Sequence, residues 1–131
     1  MHMALRFHGR YGFIKPSLDA HTLGINSAAE LLRSCGYEVL IAEGPVEQAI
    51  LDYSYESRRE VVTNWLVENR ISRVGISYRL DEADAVNMVG YLVNEMQRRS
   101  LFSYQGGFIE AVYFAGLPQH APSSRGSLAV W

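Results

Sequence analysis

Cysteine is nearly absent from this chain. The single Cys35 in 131 residues excludes an internal disulfide and a cysteine-only metal site, and it fits a reducing compartment. Lysine is as scarce: of 12 basic residues only Lys15 is lysine, and the arginines are scattered rather than striped. A net charge of −2 and a pI near 6.1 leave no basic footprint for nucleic acid. No apolar run is long enough to span a bilayer, and Met1-His2-Met3-Ala4 does not open a signal peptide, so no membrane partner and a cytoplasmic location are expected. Repeats and low-complexity tracts are missing too. What is there is ordinary globular composition, 48% hydrophobic and 20% charged, which argues against disorder. One domain over 1–131 is expected, burying about two-thirds of its unfolded surface. Residues 118–131, rich in Pro, Ser and Gly, read as a loose tail.

Hydrophobic periodicity then orders the chain. Tyr11 to Lys15 is β-prone and closed by Pro16. A helix follows from about Gly24 to Ser34, with Ala28, Leu31, Leu32 and Cys35 on one face and Gly36 as its stop. Glu38 to Ala42 is a buried-strand candidate, and Val46 to Tyr53 a short helix. Ser57 to Arg70 is a stronger helix with Val61, Val62, Trp65 and Leu66 on one side. Arg73 to Ser77 is a strand. Asp81 caps a helix that carries Ala85, Val89, Leu92, Val93 and Met96 through to Arg98-Arg99. Leu101 to Gln105 reads as a fourth strand ending at Gly106-Gly107, and Val112 to Ala115 as a fifth. This alternation predicts an α/β fold: a flavodoxin-like or Rossmann-like, doubly wound parallel sheet of about five strands with helices on both faces. Ligands of such folds sit outside the carboxyl ends of the strands, where strand order reverses.

The loop after the first strand reads Asp19-Ala20-His21-Thr22-Leu23-Gly24. Pro16 stops the strand and Gly24 allows a tight turn into the helix. Asp19 is close enough in sequence to hold one nitrogen of His21 while the other ligates a metal, the usual partnership of carboxylate and ligating imidazole. One histidine is too few for a protein-only zinc site. It suffices as an axial base when a macrocycle supplies the other ligands. The bland alternative for a lone loop histidine is a solvated surface residue, the reading given to His8 and His120. Ser77 and Gly106-Gly107 gain meaning only from standing, in order, at the expected ends of the third and fourth strands.

With Asp19, His21 and Gly24 in one loop, then Ser77, then Gly106-Gly107 after the 26 residues Leu80–Gln105, the chain resembles the cobalamin-binding domains of the Asp-x-His-x-x-Gly, base-off and His-on type, over roughly Tyr11 to Gly116. It departs from their pattern at Arg79, where they carry leucine, and in a longer gap between Gly24 and Ser77. The resemblance implies cobalamin as cofactor and His21 as lower axial cobalt ligand oriented by Asp19. It also implies a nucleotide tail buried near Ser77, Gly106 and Gly107, with Gly24 opening the helix whose amides face the tail phosphate.

Only 18 residues precede Asp19, too few for the helical cap of a corrinoid methyltransferase module. The expectation is therefore a mutase-like module, similar to the small subunit of glutamate mutase, with a barrel-type catalytic subunit over the corrin and no turnover by this chain alone. The alternative is a non-catalytic cobalamin carrier or sensor. A phosphate-accepting receiver built on Asp19 lacks the further acidic residues that such sites cluster.

Overall fold

The computed structural model describes residues 9–16, 23–78, 81–115 and 128–130. Parallel strands β1 (Arg10–Ile14), β2 (Glu38–Ile41), β3 (Arg73–Ser77) and β4 (Ala111–Ala115) pair in the order 2-1-3-4, and the short β5 (Leu128–Val130) extends the edge beside β4. Helices α1 (Leu23–Ser34), α2 (Pro45–Ala49), α3 (Glu56–Glu68) and α4 (Glu82–Arg98) connect them. This is the doubly wound α/β fold that the alternation predicts.

Side-chain alternation along each strand sorts the two layers. Ile14, Val74, Ile76, Val112 and Phe114 join Leu66, Met88, Leu92 and Met96 in the larger core, under α2, α3 and α4. Phe13 and Val39 pack with Ile25 and Ala29 of α1 on the other face. In β3 the residues Val74, Gly75, Ile76 and Ser77 are all buried, as a central parallel strand covered on both faces requires. Burying each large aliphatic side chain of that core contributes about 1.5–3 kcal/mol.

The inward face of α1 differs from expectation. Ile25 and Ala29 are buried, Ala28 and Leu32 partly so, while Leu31 is 66% exposed and Cys35 is exposed. The helical stripe runs Ile25, Ala29, Leu32, one residue away from the face read from Leu31 and Cys35. In α3 the fully buried positions are Val62, Thr63 and Leu66, with Val61 and Trp65 packed at the flank of the core; Val89 and Leu92 of α4 are core, as expected.

Three helices end alike. Gly36, Arg70 and Ser100 take left-handed φ values of 96°, 52° and 57°. After each, an amide reaches back 3.0 Å to a helix carbonyl: Tyr37 to Leu32, Ile71 to Leu66, Leu101 to Met96.

That last bond explains the main correction. Leu101–Gln105 is not a strand. Leu101 completes the end of α4, Phe102 makes one isolated bridge with Ile109, and Ser103–Gln105 form a 3-10 turn. The Gln105 side chain accepts from the Phe102 amide (3.3 Å) and donates to the Gln97 carbonyl (2.8 Å). The two apolar residues that suggested a strand are core anchors for this turn, both buried. The fourth strand is the segment expected to be the fifth.

Gly106 and Gly107 close the turn for different reasons. Gly106 has φ 93°, with no atom within 4 Å of where a Cβ would stand. At Gly107 a Cβ would lie 2.2 Å from the Leu101 carbonyl oxygen. Gly107→Ala is therefore expected to cost about 3 kcal/mol or more through displaced backbone, and Gly106→Ala about 1–2 kcal/mol of backbone strain. Urea unfolding of the two variants checks the ranking; equal costs would contradict it.

Candidate functional site

Strand order reverses between β1 and β3. The chain leaves β1 through α1 toward β2 on one side, and leaves β3 through α4 toward β4 on the other. The carboxyl ends of these neighbouring strands are the crevice where this fold takes ligands. Asp19 and His21 lie outside the described residues. The segment that carries them starts after Pro16, at the carboxyl end of β1, and ends at Leu23, where α1 begins. Gly24 is exposed in the first turn of α1, and a Cβ there would meet nothing within 4 Å, so space does not demand glycine at this position.

Ser77 is the last residue of β3, paired with Ala115 at the carboxyl end of β4. The next amide, Tyr78, donates to the Ala115 carbonyl at 3.1 Å. Ile76 belongs to the larger core, so alternation turns Ser77 to the α1 face. Its side chain is buried, 3% exposed. Among the described residues its hydroxyl has no hydrogen-bond partner, a situation that costs about 1–3 kcal/mol unless something else satisfies it.

Gly106 and Gly107 are not brought to this crevice. They precede β4, and β4 starts level with Arg73, the first residue of β3. The glycine pair thus sits at the amino edge of the sheet, and Ser77 at the carboxyl edge. Slots beside Ser77 are bordered instead by Ala115.

Three residues at the carboxyl edge were not anticipated. Lys15 is a buried lysine directly after β1; its ammonium pairs with Glu47 of α2 (3.4 Å) and donates to the Pro16 carbonyl (3.3 Å). The sole lysine of the chain, set against a buried strand, is the sequence signal for it. The other two are Tyr53 and Asp84. Both carboxylate oxygens of Asp84 accept phenol hydroxyls, one from Tyr53 and one from Tyr78. Asp84 in turn donates its backbone amide to the capping carboxylate of Asp81 at 3.0 Å. Tyr78 is thus fixed at both ends, by its amide and by its phenol. No sequence spacing announces this knot, because its members come from three separate segments. Arg79 lies outside the described residues.

Burial first, and then the Asp84 carboxylate, pushes the Tyr53 phenol up to about 12 and raises the Tyr78 phenol as well. A phenol held above its unfolded value near 10 contributes stability that is whole below pH about 10 and is lost as pH rises through the folded value. Two of the eight tyrosines are therefore expected to ionise last in an absorbance titration, with Tyr53 near pH 12, and stability is expected to fall between pH about 10 and 12. Asp84→Asn leaves one phenol without its acceptor and is expected to cost about 1–3 kcal/mol. An unchanged urea midpoint in that variant would contradict the knot.

No family model matches the chain, and no curated protein matches it. Among solved structures it is similar to the Lac repressor dimer bound to operator and the anti-inducer ONPF, at 17% identity and a TM-score of 0.46, over 86% of this chain and 32% of that one. The chain thus spans about a third of the repressor chain's length. The likeness is one of parallel α/β architecture.

Proposed function

We propose that the chain is a cobalamin-binding module whose cofactor lies over the carboxyl edge of β1 and β3. The observation that carries this reading is Ser77: a buried hydroxyl without a partner among the described residues, at the ligand end of the fold. It supplies a polar contact for a ligand that enters the α1 side of the sheet. The resemblance in the preceding loop supplies the rest. His21 would be the lower axial base, Asp19 would hold its tautomer and raise its basicity, and Gly24 would sit in the helix turn whose amides face the tail phosphate. The tail is assigned to the side of Ser77 and Ala115 rather than to Gly106 and Gly107, which belong to the turn at the other edge.

The bound cofactor supplies cobalt–carbon homolysis or methyl transfer. In this reading His21 and Ser77 would hold it, and Asp19 would keep the imidazole proton on the nitrogen away from the metal. A catalytic partner, in this reading a barrel-type subunit of a cobalamin-dependent mutase, would supply the substrate-binding residues.

Mixing the chain with hydroxocobalamin, desalting and recording the visible spectrum tests the reading. Retention of about one corrinoid per chain is expected. His21→Ala and Asp19→Asn are expected to weaken affinity by about 10–100-fold. Ser77→Ala is expected to weaken cobalamin by about 2–10-fold, the worth of one hydrogen bond, and to leave cobinamide unaffected. No retained corrinoid, or equal affinity in the His21→Ala variant, would refute it.

A further inference from the structure

Helix α4 shows solvent a face unlike that of its neighbour. In α3 the exposed positions include Glu56, Arg58, Glu60 and Glu68, charges of the kind that keep a surface helix solvated. From Ala83 to Gln97, α4 exposes no charged side chain. Ala83, Asn87, Gly90, Asn94 and Gln97 are exposed and follow one another in alternating steps of four and three residues. A stripe with that spacing runs straight along a helix that packs on another at about 20°. Val86 and Tyr91, 45% and 44% exposed, flank it.

Gly90 is the middle residue of α4. Glycine is among the poorest helix formers, and among the described residues no atom lies within 4 Å of where a Cβ would stand. Packing within the described chain therefore gives no reason for glycine here. An approaching backbone does, because two helices come closest where a side chain is missing. The amides of Asn87 and Asn94 both donate and accept. Each can pair with its own kind across a two-fold axis, where a charge of one sign would repel itself. The ends of α4 set the direction, since it opens Asp81-Glu82 and closes Arg98-Arg99. An antiparallel copy crossing at Gly90 sets each acidic start beside a basic end, and Asn87 of one helix beside Asn94 of the other. A parallel copy sets like charge against like. The Arg98 side chain is 57% exposed at that end, although it also pairs with Glu56 and Glu95.

We propose that the outer face of α4 is a self-association surface, on which a second copy of this chain packs antiparallel about a two-fold axis at Gly90. The surface lies on the side of the sheet away from α1 and uses neither Ser77 nor the loop after β1, so it stands or falls independently of the cobalamin reading. A helix of 17 residues is about 25 Å long and about 10 Å across. One pair of that size buries well under the ~1,600 Å² of a standard interface. A weak, reversible dimer with a Kd on the order of 10 μM is therefore expected.

The test is sedimentation velocity over protein concentrations from about 1 to about 200 μM. Wild type is expected to pass from monomer to dimer across that range. Gly90→Lys and Gly90→Glu each set like charges across the axis and are expected to weaken dimerisation at least about 10-fold. Both put a better helix former in place of glycine. Circular dichroism is therefore expected to show helix content held or raised, which separates a lost contact from a lost fold. Mixed in equal amounts, the two variants are expected to regain a dimer at least as tight as that of wild type, because residue 90 of one copy faces residue 90 of the other. Wild type that stays monomeric to about 200 μM, single variants that dimerise as wild type does, or a mixture that stays monomeric would each overturn the proposal. Assemblies larger than a dimer would overturn it as well, since a two-fold contact closes on itself.

Discussion

The structure depends on one topological constraint: β1 and β3 are neighbours, and the chain leaves them in opposite directions. Right-handed crossovers then force α1 onto one face of the sheet and α2, α3 and α4 onto the other. The two loops that follow these strands must diverge, and the gap between them is a crevice the fold creates without any dedicated residue. Ser77 and Pro16, which follows β1, are brought to the same rim by this constraint alone. Residues far apart in sequence need no mutual contact to become neighbours there.

What keeps the rim in place is a set of polar anchors beneath it. Asp84 takes two phenols, from Tyr53 ahead of α3 and from Tyr78 at the exit of β3, and so ties α4 to both. The Tyr78 amide ties the same point to β4. Lys15 ties the exit of β1 to α2. Across the larger core, Arg59 and Arg98 share the buried Glu95, which is 2% exposed and so requires their charge. The carboxyl edge is thus held by groups whose hydrogen bonds are met, and the Ser77 hydroxyl, without a partner among the described residues, stands out against them.

Much of the fold was legible in the sequence because its signals are local. Strand β3 is legible as Arg73–Ser77 and lies there, since a short β-branched run set off from its flanking helices admits few other readings. Asp81 is legible as a helix cap and is one. The misreadings have physical causes as well. Leu101 and Phe102 look like a strand, but the helix before them ends on Ser100 in a left-handed conformation that non-glycine residues seldom adopt, so nothing in the sequence marked the stop. Gly106-Gly107 then matched the expected motif spacing by falling in a turn that needs glycine for its own backbone. The Asp84 knot was illegible because it is made in three dimensions by residues 31 and 6 positions apart. Of the candidate site, the loop motif and Ser77 came from sequence; that Ser77 stands beside Ala115 came only with the strand register.

We propose the imidazole of His21 as the lower axial ligand of cobalt. Electron paramagnetic resonance of the Co(II) form, prepared with natural-abundance cobalamin and either unlabelled or ¹⁵N-labelled protein, tests it most directly. The account predicts that the splitting from the axial nitrogen changes from a triplet to a doublet when the protein is labelled. A triplet that persists in the labelled protein would show that the cofactor's own benzimidazole stays on cobalt, and would contradict the account.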